Sequence, residues 1–282
     1  MRDVPKYLRS MRPSRRVLTR AVALAAVIAA LVIAAVAIWS ALGKKTLTIA
    51  TCRVTYRSSQ YQIDLAQAGN ATTIASVGKR LGMPDHAVTI ALATALQESQ
   101  LHNLSYGDRD SLGLFQQRPS QGWGTAAQVM RPAYAAAAFY EALARVPGWQ
   151  TMSVTNAAQA VQHSNAPQAY ALWEPLARTL AITTTGETPA GLACQFSLPH
   201  TRQVPVSPIP AMTKDLGPST LGTPVSARRG WTIASWLVGH ADQYRITSVS
   251  FAGRQWTPKG QWTASRTNAR GVHMTQSPAV PE

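Results

Sequence analysis

The strongest pattern along the chain is an uninterrupted apolar run near its beginning. Residues 21–42 are uncharged and mainly apolar, long enough as a helix to cross a hydrocarbon core of about 30 Å. Many basic residues and only Asp3 precede this run, whereas Lys44 and Lys45 alone follow it closely. The positive-inside rule then puts the N-terminus in the cytoplasm and the rest of the chain outside. We therefore expect a single-pass anchor in the cell membrane, with a cleaved secretory signal as the alternative.

A second apolar pattern has the periodicity of a helix. Pro84 and Asp85 supply a helix start, and the positions that follow are apolar nearly all round, which is typical of a buried helix. Glu98 stands at the polar end of this helix, and three or four residues before it lie Thr94 and Ala95. Burial there should raise the pKa of Glu98 and keep a fraction protonated near neutral pH. Glu98 is thus a candidate general acid; the alternative is a helix-end Glu paired with an Arg.

The remaining pattern predicts a mainly α fold with a helical domain, a linker rich in proline and a small α+β unit. A helix is expected from Asn70 onwards, and Ile246 to Phe251 alternate like a strand. The predicted divisions are a basic cytoplasmic tail at 1–20, a transmembrane anchor at 21–43, a tether at 44–66, a helical domain at 67–185, a Pro-rich linker at 195–226, a C-terminal unit at 227–275 and a disordered tail at 276–282.

The net charge of the chain indicates which class of molecule it binds. The formal net charge is +15, and the part beyond the N-terminal tail is itself basic. A basic exported protein suits anionic polymers such as peptidoglycan carboxylates and wall phosphates. Nucleic acid is disfavoured, because export separates the chain from it and no nucleic-acid motif is visible.

The number of cysteines indicates whether a disulfide and a metal site are to be expected. Cys52 and Cys194 are the two cysteines of the chain, and in an oxidising compartment such a pair indicates a disulfide. Two free thiols are the alternative. Two Cys without clustered His are too few ligands for a zinc site, so we expect no metal and no cofactor.

Fifteen residues after Glu98-Ser99 comes the tetrapeptide 113–116, Gly-Leu-Phe-Gln. Over roughly residues 70–182 the chain resembles the lysozyme-like superfamily of soluble lytic transglycosylases and resuscitation-promoting-factor-type wall hydrolases. Those families carry a catalytic Glu followed by Ser on a buried helix, and then a Gly-Leu-(Met or Phe)-Gln turn that lines the glycan cleft. Pro167 and Trp173 keep the spacing of a later motif, but 162–166 depart from its Ala-Tyr-Asn-Ala-Gly. The departure removes the tyrosine that the family places at this wall of the cleft.

The resemblance implies a glycosidase that cleaves peptidoglycan glycan strands between N-acetylmuramic acid and N-acetylglucosamine. In a lytic transglycosylase Glu98 serves as both acid and base, whereas a hydrolase needs a second carboxylate. Asp110, slightly ahead of Asp108, is the candidate for that carboxylate; the alternative makes both of them turn formers. Phe115 is assigned to the core. The residues expected to bind substrate are Ser99, Ser111, Gln116, Tyr106 and Trp123.

Two rival functions and one unit without an assigned role stay open. The first rival is a non-catalytic wall-binding or envelope-assembly protein of the same shape, and the second is an accessory subunit of a transport or envelope complex. His163 and Ser164 are interpreted as cleft or surface residues. In the C-terminal unit, the Trp residues are interpreted as core rather than as a binding surface; if the unit binds a partner, an envelope protein is the class we expect.

Overall fold

The computed structural model describes residues 15–42, 50–164, 168–198, 204–219, 221–266 and 269–277. The chain divides into two compact units, Met1–Leu47 and Thr48–Glu282. The first unit contains helix α1, Arg15–Leu42. Several predicted features lie outside the described residues: part of the basic tail (1–14), the end of the anchor with the start of the tether (43–49), Pro167 with its two predecessors, part of the linker (199–203) and most of the C-terminal tail (278–282).

The prediction of a membrane anchor is wrong. In the part of the chain that the structure describes, no helix is both long enough and apolar enough to cross a membrane. Two further predictions depended on this anchor, the single-pass membrane localisation and the membrane contact through 21–43. Both are wrong for the same reason.

A three-stranded antiparallel sheet joins the two ends of the predicted helical domain. Its strands, in the order β2-β1-β3, are β1 (Thr51–Tyr56), β2 (Ser59–Ile63) and β3 (Leu192–Gln195). Strand β1 forms where a tether was predicted, because Cys52 and Val54 alternate with more exposed residues and are fully buried. Cys52 lies opposite Cys194 across β1 and β3, and the two are joined. The predicted disulfide is therefore confirmed.

Helix α3 is the centre of the helical part. Every residue from 87 to 96 is buried, and the helix packs against α2, α6 and α7. It begins at Asp85 directly after Pro84, as predicted, and it ends at Ser99 before a left-handed Gln100. The helices of this part are α2 (Leu65–Arg80), α3 (Asp85–Ser99), α4 (Ala126–Val129), α5 (Pro132–Ala144), α6 (Val154–Gln162) and α7 (Glu174–Thr184), with 3-10 turns at Pro119–Gln121, Trp149–Thr151 and Ala169–Trp173.

Helix α2 begins five residues before the predicted start at Asn70. Asp64 and Gln67 form a reciprocal capping box, in which the side chain of each accepts from the backbone N–H of the other at 2.8 Å. Such a box satisfies two backbone donors at the start of a helix. Asn70 instead donates to the carbonyl oxygen of Leu101 at 2.7 Å, which ties the end of α3 to α2.

The C-terminal part shares the hydrophobic core with the helices. Helix α8 forms inside the predicted linker, since its prolines occupy the cap and the first turn, where they are tolerated, and Met212 and Leu216 are buried. Trp231, Trp236 and Trp256 are buried as well, so their interpretation as core is confirmed. The remaining elements are α8 (Ile209–Leu216), α9 (Ala227–Gly239) and a sheet in the order β6-β5-β4-β7, with β4 (Ile246–Phe251), β5 (Arg254–Thr257), β6 (Gln261–Ala264) and β7 (His273–Gln276).

The predicted fold class is therefore wrong as a whole. The described residues form nine α-helices and two antiparallel sheets, of three and four strands. The segments predicted as tether and linker contribute strands and a helix to one continuous core. Their short apolar runs gain burial only from partners far away in the sequence, and no local pattern reveals those partners.

Candidate active site

Glu98 lies in the last turn of α3, at the edge of a cleft of about 880 Å³. Its side chain is half-buried, while the helix behind it is closed to solvent. The helix end is held in place by backbone bonds of Gln100 and Leu101 to the carbonyl oxygens of Leu96 and Ala95. The carboxylate is thus presented on a rigid element rather than on a loop, which suits a group that must meet a reacting atom.

Two uncharged side chains hold the carboxylate. The hydroxyl of Tyr170, a fully buried residue, donates to Glu98 Oε1 at 2.8 Å. The side chain of Gln162 also bonds to Glu98, and its Nε2 donates to the carbonyl oxygen of Phe115 at 2.9 Å. Neither partner is a cation, so the interpretation of Glu98 as a helix-end residue paired with an Arg does not describe this site.

Burial raises the pKa of Glu98, and the hydrogen bonds from Tyr170 and Gln162 offset part of that effect. Burial and the adjacent Glu98 carboxylate also raise the pKa of Tyr170. Tyr170 is therefore a neutral phenol across the physiological range and a donor toward Glu98. Burial thus favours the protonated form of Glu98, whereas the bond from Tyr170 favours its ionised form.

The tetrapeptide 113–116 forms a turn beside Glu98, and Ser99 attaches it to the helix. The Ser99 hydroxyl is buried and lies 2.7 Å from the carbonyl oxygen of Leu114 and 3.0 Å from that of Ala95. Gly113 has a φ of 78°, and a Cβ there would approach the carbonyl oxygen of Val129 to 2.6 Å. Ser99 thus positions the wall of the cleft from behind and presents no free hydroxyl to a ligand.

Three of the predicted substrate-binding residues line the cleft with Glu98: Ser111, Gln116 and Trp123. The Gln116 amide donates to the carbonyl oxygens of Tyr106 and Gly113 at 3.3 Å, which fixes its orientation. Phe115 is fully buried and stacks on Phe139 with 4.8 Å between the ring centroids, which confirms its assignment to the core. Tyr106 is 70% exposed and is not among the residues that line the cleft.

The second carboxylate predicted for a hydrolase is engaged elsewhere. Asp110 accepts from Arg118 Nε at 2.9 Å, from the Ser120 backbone at 2.7 Å and from the Ser120 hydroxyl at 2.9 Å. These bonds hold the pKa of Asp110 well below its ordinary value, and the bond from Arg118 has the largest effect. Asp110 does not line the cleft, whereas Asp108 does, with its side chain 90% exposed beside Arg109.

The cleft lining carries charges of both signs. Arg109, Arg118 and Arg145 line it, against the carboxylates of Glu98 and Asp108. Arg145 is exposed and makes no ion pair with the described residues. Within the same part of the chain, no group of three His, Cys, Asp or Glu side chains is arranged to hold a metal ion.

Tyr170 and Gln162 are site residues that the sequence pattern did not predict. The family pattern places its tyrosine at position 163, where this chain has His163, and Tyr170 follows seven residues later in a 3-10 turn. Next to it, Trp173 Nε1 donates to Gln97 Oε1 at 2.8 Å, which secures this turn to α3. The available signal was a tyrosine close in sequence to the expected position, but only the packing of the turn on α3 brings its hydroxyl to Glu98.

Neither a protein-family model nor a curated protein sequence matches this chain. Any functional assignment therefore depends on the geometry around Glu98 and on the short motif 98–99 with 113–116.

Proposed function

We propose that this protein cleaves peptidoglycan glycan strands between N-acetylmuramic acid and N-acetylglucosamine, as a lytic transglycosylase with Glu98 as acid and base. The observation that carries the proposal is the half-buried Glu98 carboxyl, bonded by neutral donors at the edge of a polar cleft. A carboxyl with a raised pKa on a rigid helix is the proton donor that glycosidic bond cleavage requires.

The reaction follows from one such group. Protonated Glu98 gives its proton to the glycosidic oxygen as the bond between that oxygen and the muramyl C1 breaks. The Glu98 carboxylate then accepts the proton of the muramyl C6 hydroxyl, whose oxygen forms a new bond to C1. No water is consumed, and the product is an anhydro sugar. Tyr170 and Gln162 hold the carboxylate in position in both steps, and their hydrogen bonds stabilise its ionised form.

The placement of Asp110 favours this reaction over hydrolysis. A hydrolase needs a second carboxylate at about 5 Å as nucleophile or at about 6.5–9.5 Å as base to a water. Asp110 is engaged by Arg118 and Ser120 outside the cleft lining, and Asp108 is largely exposed. Ser111, Gln116 and Trp123 supply a hydroxyl, an amide and an aromatic face, which are the groups that bind sugar hydroxyls, acetamides and ring faces.

The test is mass spectrometry of the products after incubation of the oxidised full chain with purified peptidoglycan. The matched variants are Glu98→Gln and Glu141→Gln, the latter at an exposed position of α5. Anhydromuropeptides from wild type and Glu141→Gln, but not from Glu98→Gln, would support the proposal. Reducing ends would instead indicate hydrolysis and point to Asp108. The enzymatic function would be overturned if no soluble products formed while wild type and Glu98→Gln both still bound peptidoglycan. The protein would then be a non-catalytic wall-binding protein.

A further inference from the structure

A second groove, of about 460 Å³, lies between the three-stranded sheet and the strands β5 and β6, and it shares no lining residue with the Glu98 cleft. Three arginines line it: Arg53, Arg57 and Arg254. We propose that this groove binds the phosphate groups of an anionic polymer. The proposal is independent of the glycosidase activity, because none of these residues touches the cleft.

The three arginines lack a counter-charge. No Asp or Glu is found among the described residues that line the groove. None of the three guanidinium groups makes a side-chain hydrogen bond or an ion pair with the described part of the chain. Arg57 only stacks over the ring of Tyr56, at 5.1 Å from its centroid. Elsewhere Arg118, Arg178 and Arg228 are each paired with a carboxylate.

Strand β1 explains how two of these arginines reach the groove. Cys52 and Val54 point into the core, so Arg53 is on the opposite face of the strand and remains half-buried. Partial burial of an unpaired cation is unfavourable unless a counter-ion accompanies it. Arg57 follows in the turn between β1 and β2, with a φ of 53°. Both arginines therefore have positions set by backbone that the disulfide and the β-ladder hold.

The third arginine comes from the other sheet, and the contact between the sheets is specific. Trp262 Nε1 donates to the carbonyl oxygen of Leu192 at 2.8 Å, and Gln195 pairs with Lys259 in a β-bridge. Arg254 opens β5 beside this contact and is exposed. The groove is thus preformed, which lowers the cost of ordering its cations on a ligand.

The surroundings extend the positive field beyond the groove. The described residues 243–266 and 269–277 hold five Lys or Arg side chains and no Asp or Glu, and 50–63 likewise hold no acid. Arg57 also lines a neighbouring groove of about 520 Å³, in which Glu174 neutralises Arg178 and Arg57 keeps its positive charge. An extended surface of this kind suits a chain of repeated anionic groups better than a single small ion.

Phosphate is the anion that the arrangement favours. A guanidinium group binds phosphate through two parallel hydrogen bonds, and the tetrahedral anion presents oxygens in several directions. Three guanidinium groups from two strands and a turn offer donors from separate directions, whereas one planar carboxylate is satisfied by a single guanidinium. Thr188 and Gln261 add an uncharged hydroxyl and amide at the rim.

The experiment is a titration of the oxidised full chain with inorganic polyphosphate, followed by calorimetry at two salt concentrations. The test variant carries Arg53→Gln, Arg57→Gln and Arg254→Gln. The control carries Arg80→Gln, Arg131→Gln and Lys214→Gln, which remove the same charge at exposed positions outside both the groove and the basic segment 243–277. We expect binding to weaken about tenfold or more in the test variant and about twofold in the control, with a reduced salt dependence only in the test variant.

Further arms keep the outcome interpretable. The single variant Arg254→Gln, at an exposed position, should already weaken binding, so a folding defect at Arg53 does not decide the result. Glu98→Gln should bind polyphosphate like wild type, and the triple test variant should keep its activity on peptidoglycan without phosphate polymers. Equal loss in test and control variants would overturn the proposal, as would absence of binding. The proposal would also be overturned if the protein bound single-stranded DNA of equal phosphate number more tightly than polyphosphate and lost that binding in the test variant. The ligand would then be a nucleic acid.

Discussion

The carboxylate at the end of helix α3, Glu98, and the carboxylate of Asp110 in the loop that follows have opposite pKa shifts. Glu98 is half-buried and bonded by the neutral groups of Tyr170 and Gln162, and its pKa is raised. Asp110 is bonded by a guanidinium and by Ser120, and its pKa is lowered. Both accept good hydrogen bonds. The charge of the donors and the degree of burial, rather than the number of bonds, make one a proton donor and the other a permanent anion.

This difference separates a catalytic role from a structural one. A carboxylate that is always ionised and is held by Arg118 shapes the loop 107–121. A carboxyl whose pKa is raised by burial is suited to general acid catalysis. Substitutions at the two carboxylates and at their hydrogen-bond partners should therefore differ in their effects on activity and stability.

Removal of the Glu98 carboxyl should have the largest effect. We expect Glu98→Gln to lower the rate of glycan cleavage by about 10²- to 10⁴-fold, because the amide cannot donate a proton to the leaving oxygen. Asp110→Asn should leave the rate near that of wild type. Both rates are measured by release of soluble muropeptides. An inactive Asp110→Asn that is still folded would show that the loop carboxylate takes part in the reaction.

Tyr170→Phe should have the second largest effect on the rate of glycan cleavage. A hydrogen bond to a charged group is worth about 1.5–3 kcal/mol, so its loss from the ionised Glu98 should slow cleavage by about tenfold to a hundredfold. The bond lowers the pKa of Glu98, so its removal should raise that pKa and move the alkaline fall in activity to higher pH. The pH–rate profile measures this.

The matched control is Tyr140→Phe, at another buried tyrosine whose hydroxyl donates to the carbonyl oxygen of Ile74 at 3.0 Å. It should lower stability without moving the pH–rate profile. If both variants shifted the profile equally, the effect would come from general loosening of the core and not from the bond to Glu98.

The two serines near these carboxylates should differ in their effect on stability. Ser99→Ala leaves a buried carbonyl oxygen of Leu114 without its partner and should lower the free energy of unfolding by about 1–3 kcal/mol. Ser120→Ala, on the exposed side of the loop, should cost less than about 1 kcal/mol, since water replaces the lost bond. Urea denaturation of both variants at neutral pH gives the comparison.

The smallest effects should appear in the pH dependence of stability, with opposite signs. The pKa of Glu98 is raised in the folded state above the ordinary 4.5, so wild type should lose stability relative to Glu98→Gln as the pH rises from about 4.5 through the raised value. The pKa of Asp110 is lowered from 3.8, so its contribution is present above that pH and lost as the pH falls below it. Urea denaturation between about pH 3 and 8 distinguishes the two slopes; slopes of the same sign would contradict the proposed difference.

Local patterns predicted the parts of the molecule whose partners are close in sequence. Helix α3 begins at Asp85 and carries Glu98 at its polar end, because a run of apolar helix formers after Pro84 leaves little alternative. The cysteine count predicted the disulfide. The tether and the linker were mispredicted because the strand of Cys52 and the helix of Met212 are stabilised by distant contacts. Short apolar segments do not show which partner will bury them.

The candidate site shows the same difference between what local sequence predicts and what distant contacts decide. The sequence by itself determined that a lone carboxyl would end a buried helix and that a glycine-containing turn would follow fifteen residues later. Only the tertiary structure decided that Tyr170, 72 residues away, donates to that carboxyl. It also decided that Asp110 is occupied by Arg118, and that Arg53 and Arg254 line one groove. The physical reason is that burial and hydrogen-bond partners set the pKa and availability of a side chain, and both depend on contacts between segments distant in the chain.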